Sequence, residues 1–191
     1  GDKLMGTQKI VLASGSPRRR ELMHQMGLDD FEILPAKGEE RAPESLTPAQ
    51  LVEQLALQKA REVAALRPDC AVIGADTVVA LGDEVLGKPE REARAKEMLR
   101  ALSGATHEVH TGVCVSDGVR TESFVDSCKV TFFPISEGEI DAYTATKEPY
   151  DKAGAYAIQG RAALWLDRLE GDYYTIMGLP VSRTARLLNR F

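Results

Sequence analysis

Residues 70–75, with the sequence CAVIGA, constrain the fold more than any other part of the chain. An uninterrupted run of apolar residues and glycine predicts a β-strand that is covered on both faces of its sheet. Helix-like segments that begin at Thr47 and near Pro89 lie on either side of this run in the sequence. Residues 108–116 and 121–133 alternate in polarity, as paired antiparallel strands do. We therefore expect an α/β fold in which helices flank a mixed sheet.

Length and composition indicate one globular domain. The chain has 191 residues, of which 43% are hydrophobic and 28% are charged, and these shares are ordinary for a folded domain. We expect a single domain over residues 1–191, with residues 1–8 disordered or derived from cloning. The sequence lacks the roughly 20-residue apolar run that a membrane span needs, and its beginning does not resemble a signal peptide. We therefore expect a cytoplasmic protein that binds no membrane.

The net charge and the thiol and imidazole side chains narrow the classes of function. A net charge of −5 makes general nucleic-acid binding unfavourable, so a polyanion needs a local cationic cluster or a metal ion. The cysteines, Cys70, Cys114 and Cys128, lie far apart in apolar segments, which indicates free thiols. His107 and His110 are three residues apart in a predicted strand and so point to opposite faces. We expect no zinc site from these residues.

A strand, a turn of small residues and a helix N-terminus follow one another in residues 10–20. Ser16 is the natural N-cap, and Pro17 suits the first helical position. The free N–H groups of a first helical turn attract anions. Three arginines stand at positions 18–20, where a helix built only for stability carries acidic residues. Taken alone, these residues fit either a phosphate-binding turn or a capped surface helix with solvated arginines.

Asp76 stands where a charge is unfavourable. It directly follows residues 70–75 and precedes a second apolar run at 78–81. A carboxylate in such surroundings needs a cation, a metal ion or a bound proton. The alternative is an aspartate that only turns or caps the chain. We interpret Asp76 as functional, because strand-forming residues rather than a helix follow it.

Two lysines and an acidic pair extend this pattern. Lys59 lies on or beside the apolar face of the predicted second helix, where a lysine is unusual unless it meets an anion. Pro89 restricts Lys88 to extended geometry. Glu40 offers oxygen ligands of the kind that Mg²⁺ prefers. Taken singly, Lys88 and Glu40 fit a solvated surface, but together with Asp76 they suit a site that binds a polyphosphate and attacks it with water.

Several motifs resemble those of the Maf family of nucleoside triphosphate pyrophosphatases. They occupy residues 14–22, 74–79, 87–89, 102–107 and 151–160, and residues 170–172 and 178–181 fit the family as well. The resemblance implies hydrolysis of a nucleoside triphosphate to the monophosphate and pyrophosphate, with Mg²⁺ or Mn²⁺ as cofactor. It implies an elongated fold similar to that of inosine triphosphate pyrophosphatase, with the active-site cleft between two lobes. It also implies a homodimer.

The resemblance assigns roles to particular residues. It places the catalytic machinery on Asp76, Lys59, Lys88 and Glu40. It places substrate binding on Ser14, Ser16, Arg18, Arg19, Thr77 and Gln159. Asp76 is implied to be the general base, and Asp76 and Glu40 are implied to hold the metal ion. The residues by themselves leave two candidates for the proton acceptor, Asp76 and Glu40.

Arg18, Thr77 and Gln159 resemble the branch of the family that acts on dTTP and UTP. We therefore expect hydrolysis of these nucleotides, and of modified pyrimidine triphosphates, as a house-cleaning activity. Ala157 stands where the family commonly has glycine, and residues 173–177 vary among members, so both bear on how the base fits. Arg20, one residue further along the helix than Arg19, is expected to be the least involved of the three arginines.

Two other functions remain open at this point. One is a pyrophosphatase for purine nucleotides or 7-methyl-GTP, against which Thr77 and Gln159 argue. The other is a non-enzymatic regulator of septum formation in cell division. The complete set of Asp76, Lys59 and Lys88 argues against a protein without catalysis.

Overall fold

The computed structural model describes residues 8–191 and places them around one mixed sheet. The strands are β1 (Lys9–Leu12), β2 (Phe31–Ile33), β3 (Cys70–Leu81), β4 (Glu84–Leu86), β5 (Thr106–Ser116), β6 (Thr121–Phe132) and β7 (Leu166–Glu170). The helices are α1 (Pro17–Gln25), α2 (Pro48–Leu66), α3 (Glu92–Leu102), α4 (Glu137–Thr144), α5 (Tyr173–Met177) and α6 (Val181–Leu188). Residues 1–7 lie outside the described part, and so does most of the segment for which we predict disorder or a cloning origin.

The sheet has the order β2-β1-β3-β5-β6-β7, and β4 pairs with β3. The β1 strand is parallel to β2 and β3, whereas the other pairs are antiparallel. The first residues of β3 pair with β1 and its last residues pair with β4. The predicted mixed sheet with flanking helices is thus confirmed. Within residues 8–191, no helix is both long enough and apolar enough to cross a bilayer.

Side chains on both faces of β3 are buried, as the uninterrupted apolar run predicts. Val72 belongs to a cluster with Val63 of α2 on one face. Ile73 belongs to the large core on the other face, together with Met23 of α1 and Leu99 of α3. Because successive residues of a strand face opposite sides of the sheet, a strand covered on both sides is apolar throughout.

Helix α2 lies directly on the sheet because glycines stand beneath it. A Cβ atom added to Gly74 of β3 would lie 2.5 Å from the Ala56 carbonyl oxygen and 2.7 Å from the Ala60 nitrogen. A Cβ atom added to Gly112 of β5 would collide with the carbonyl group of Val52. No side chain separates helix and sheet at these two points. The close approach fixes the height of α2 over the sheet.

Three details differ from the sequence predictions. Asp76 lies inside one continuous strand, β3, rather than between two strands. Helix α3 begins at Glu92 and not near Pro89, because Glu90 has a positive φ of 56° that no helix accommodates. Helix α5 is not predicted, because five residues are too few for a periodic pattern.

His107 lies in the core on β5. Its side chain is buried, and its Nε2 atom lies 2.6 Å from the Tyr156 hydroxyl. The ring of Phe132 packs edge-on against it, with 5.0 Å between the ring centroids. The Nδ1 atom is buried without a hydrogen-bond partner in the described part of the chain. Burial lowers the pKa of His107 to about 4.

We expect this histidine to make the fold sensitive to acid. Between pH 6.5 and 4 the unfolded chain binds a proton at His107 and the folded chain does not, so stability is lost as the pH falls through this range. The loss is about 3 kcal/mol at pH 4. Urea unfolding at a series of pH values measures it. His107→Gln should flatten the acid dependence, whereas His24→Gln, at an exposed position, should not; equal acid dependence in both variants would contradict the assignment.

Candidate active site

The turn after β1 is built from serine hydroxyls. Ser16 caps α1, and its Oγ accepts a hydrogen bond from the Arg19 backbone nitrogen at 3.3 Å, as predicted. The buried Ser14 Oγ accepts bonds from the Ser16 nitrogen and from Arg19 Nη1, both at 3.2 Å. The cap therefore orders the first turn of α1. The hydrogen bond to Ser14 holds the Arg19 side chain against this turn.

Arg19 is held at three points on three elements. Beside its bond to Ser14, its Nε donates to the Gly178 carbonyl oxygen at 2.7 Å, and its Nη2 donates to Thr77 Oγ1 at 3.0 Å. Burial lowers the pKa of Arg19 to about 10, an effect that the charge of Asp76 opposes. Arg19 therefore remains a cation at neutral pH. Within residues 8–191 no carboxylate lies in ion-pair distance of it, so its charge is available to an anion.

Asp76 and Lys59 form the second part of the site. Because α2 lies low over β3, Lys59 Nζ reaches Asp76 Oδ1 at 2.8 Å. The same Nζ lies 3.2 Å from Glu40 Oε1, in the loop before α2. Burial raises the pKa of Asp76, and this effect outweighs the opposing influence of Lys59 and Arg19. A carboxylate whose pKa is raised towards neutrality is suited to accept a proton.

Asp76 and Glu40 offer part of the ligand set that a divalent metal ion needs. Asp76 and Glu40 both contact Lys59 Nζ, so their carboxylates lie near one another. In the described part of the chain, no group of three or more His, Cys, Asp or Glu side chains is arranged to hold a metal ion. Mg²⁺ commonly binds through one or two carboxylates and the phosphates of a substrate. The donor set fits an ion of this kind whose coordination the substrate completes.

Direct contacts join seven of the ten predicted site residues in two groups. One group holds Ser14, Ser16, Arg19 and Thr77. The other holds Lys59, Asp76 and Glu40, and the two groups meet where Asp76 and Thr77 follow one another in β3. Arg18 is half-buried, and its charge acts on Arg19 and on Asp151.

Lys88 and Gln159 are exposed, and within residues 8–191 neither bonds to another residue of the site. Their segments nevertheless meet, because the Gly154 nitrogen donates to the Gly87 carbonyl oxygen at 3.1 Å. Gly154 also backs onto Val79 of β3, where an added Cβ would lie 3.0 Å from Val79 Cγ1. The loop 151–160 therefore packs beside β3 and the end of β4, and it contacts Gly87, the residue before Lys88.

Sequence reasoning missed two residues that contact this site, Gly178 and Thr111. Gly178 ends α5 with a positive φ of 111°, and its carbonyl oxygen binds Arg19. Asp172 as N-cap and Gly178 as a left-handed C-cap were the available signal for this helix. Thr111 of β5 bonds to Thr77 across the sheet, and nothing local in the sequence marks it.

Comparison with known proteins shows the family of this chain. The family model described as "Maf-like protein" matches residues 9–191. A dTTP/UTP pyrophosphatase of Bacillus thuringiensis subsp. konkukian (strain 97-27) is 50% identical over 184 residues, covering 96% of this chain and 96% of the relative. A protein of the same name from Bacillus cereus (strain AH820) has the same identity and coverage.

Among solved structures, a HAM1 protein from Coxiella burnetii has a TM-score of 0.54 at 15% identity, covering 97% of this chain and 100% of the other. This likeness shows a shared fold. The match over residues 9–191 and the half-identical relatives show more than a fold. This chain belongs to the Maf family.

Proposed function

We propose that this chain hydrolyses dTTP, UTP and modified pyrimidine nucleoside triphosphates to the monophosphate and pyrophosphate. The observation that carries the proposal is the group of Asp76, Lys59 and Arg19, in which a half-buried carboxylate with a raised pKa lies near two cations. Such a group suits proton transfer beside a bound polyphosphate. The names of the half-identical relatives support the choice of dTTP and UTP.

In the proposed reaction, Asp76 activates a water molecule beside the α-phosphorus. Its Oδ1 is bonded to Lys59 Nζ, which leaves Oδ2 to take the proton of the water. An oxygen–phosphorus bond forms, the bond from the α-phosphorus to the bridging oxygen breaks, and pyrophosphate leaves with the electron pair. Arg19 and Lys59 stabilise the charge that develops on the phosphate oxygens.

Asp76 and Glu40 are the residues proposed to hold the divalent ion. When bound, Mg²⁺ or Mn²⁺ supplies polarisation of the phosphoryl oxygens and lowers the pKa of coordinated water. Lys59 keeps the two carboxylates together. Lys88, after β4, is proposed to supply a further cation to the phosphates.

A panel of nucleoside triphosphates, assayed for pyrophosphate release with Mg²⁺, Mn²⁺ or a chelator, tests the function. We expect dTTP and UTP to be the best substrates and the chelator to abolish release. Preference for GTP, ITP or 7-methyl-GTP would instead favour the purine alternative. Release from no triphosphate with either metal would favour a non-enzymatic role.

The three arginines of α1 provide a test of the anion site. We expect Arg19→Ala to lower kcat/KM for UTP about 100-fold, because it removes a half-buried charged donor that three hydrogen bonds hold in place. Arg20→Ala, at an exposed position on the same helix, is the matched control and should stay within about threefold. Steady-state kinetics measures both. An Arg20→Ala enzyme as impaired as Arg19→Ala would contradict the proposed roles.

Homodimer formation and a cytoplasmic location stay predictions. Sedimentation velocity of the purified chain measures the first. Binding of a nucleic acid is not expected, because the net charge is −5.

A further inference from the structure

The buried hydroxyl of Thr111 contacts Thr77 from the neighbouring strand. Thr111 lies directly opposite Thr77 in the pairing of β3 with β5. Its side chain has no exposed surface. Its Oγ1 lies 2.8 Å from Thr77 Oγ1 and 2.8 Å from the Thr175 carbonyl oxygen at α5.

These contacts determine the direction of each hydrogen bond. A carbonyl oxygen only accepts, so the proton between Thr111 and Thr175 belongs to Thr111. Since a hydroxyl carries one proton, Thr77 must donate to Thr111. An arginine only donates, so Arg19 Nη2 donates to Thr77 Oγ1. The donors therefore run in one order, from Arg19 to Thr77 to Thr111 to the carbonyl of Thr175.

We propose that Thr111 is a positioning residue of this site. Its Oγ1 accepts the hydrogen bond that Thr77 donates, and this keeps a lone pair of Thr77 directed at Arg19. Thr77 then has one further lone pair, and no proton, to offer a ligand. Without the Thr111 hydroxyl, the Thr77 hydroxyl has no fixed acceptor for its proton. Its lone pair is then no longer held towards Arg19 Nη2. The inference rests on the proposed function for its substrate, but its geometry stands without it.

Helix α5 anchors this arrangement. Thr175 Oγ1 donates to Asp126 Oδ2 at 2.9 Å, and Asp126 pairs with Arg183 of α6 at 3.4 Å. The same helix presents the Gly178 carbonyl oxygen to Arg19. Helix α5 thus holds Arg19 directly through Gly178 and indirectly through the two threonine hydroxyls.

A double-mutant cycle on anion binding tests the proposal. The probe is inorganic tripolyphosphate, and calorimetry gives its Kd for the full chain, for Thr111→Val, for Thr77→Val and for the double variant. We expect Thr111→Val to raise Kd about fivefold, which is the effect of losing one hydrogen bond between neutral groups. In the Thr77→Val background the same change should have about a twofold effect or less, because Thr111 acts through Thr77. Thr111→Ser should restore the Kd.

The chain offers a matched control in a second pair of threonines between β5 and β6. Thr106 Oγ1 and Thr131 Oγ1 lie 2.7 Å apart on the exposed surface, so Thr106→Val removes a bond between the same two groups away from the site and should leave Kd unchanged. Equal losses from Thr111→Val in both backgrounds, or no restoration by serine, would overturn the proposal. So would a full chain that does not bind tripolyphosphate. If Thr111→Val does not fold, Thr111→Ala takes its place in the cycle.

Hydrolysis of UTP by the unchanged chain is measured separately. A chain that binds tripolyphosphate with the expected coupling but releases no pyrophosphate from UTP would remove the proposed function and keep the role of Thr111. A chain that hydrolyses UTP but shows no coupling between Thr111 and Thr77 would remove the role of Thr111 and keep the proposed function. The two failures are therefore distinguishable.

Discussion

Asp76→Asn is expected to lower kcat/KM for UTP about 1000-fold, because it removes the proposed general base. The Tm should not fall, because burial disfavours the charged form of Asp76 and asparagine carries no charge. Pyrophosphate release and thermal unfolding measure the two effects. Asp141→Asn is the control, since Asp141 also pairs with a lysine, Lys96 at 3.2 Å, but on the surface. Undiminished activity in Asp76→Asn would remove Asp76 from the mechanism.

The pH dependence of kcat/KM provides a second test of Asp76. The base acts in its ionised form, so kcat/KM falls as the pH falls through the pKa of Asp76. Burial raises this pKa, so the acid limb lies at higher pH than that of an ordinary aspartate. The limb should be absent from the residual activity of Asp76→Asn. A limb lost in Glu40→Gln and kept in Asp76→Asn would instead assign the proton transfer to Glu40.

Gly112→Ala is expected to destabilise the fold by about 3 kcal/mol, near the upper end for overpacking, because the new Cβ meets the backbone of α2. This corresponds to a fall in Tm of about 10 °C for a domain of this size. Activity of the folded fraction should fall as well. Gly112 lies directly opposite Asp76 in the sheet, and lifting α2 there draws Lys59 away from Asp76.

Gly138→Ala serves as the control for this change. Gly138 lies in α4, and an added Cβ would find its nearest atom 3.9 Å away. Alanine there should raise stability by up to about 1 kcal/mol, the difference in helix propensity. Chemical denaturation compares the two variants. A Gly112→Ala protein as stable as the unchanged chain would show that α2 does not rest on the sheet as described.

Local rules were enough to predict the long elements. Thr47 and Pro48 marked the start of α2, and the structure shows a capping box there, completed by Gln50. Ser16 was predicted as the N-cap of α1, and its Oγ accepts from Arg19. Caps and hydrophobic periodicity depend on neighbours in the sequence, so the sequence alone reveals them.

The site could be predicted only in part. An apolar run interrupted by Asp76 signals a buried charge, and Lys59 on a helix face signals its partner. That these two residues meet depends on the height of α2, which Gly74 and Gly112 set from two other strand positions. Thr111 acts from across the sheet. Strand register joins residues far apart in the sequence, and no local pattern encodes it.

The open sheet also bears on how the protein behaves at high concentration. Within residues 8–191, β2 and β7 each pair on one side only, and unpaired strand edges favour aggregation. The β2 strand has only three residues, and the exposed positions of β7 carry Asp167, Arg168 and Glu170. The β6–β7 register also shifts near Thr131. Short, charged and irregular edges resist the addition of a further strand, so we expect the β2 and β7 edges to resist edge-to-edge assembly.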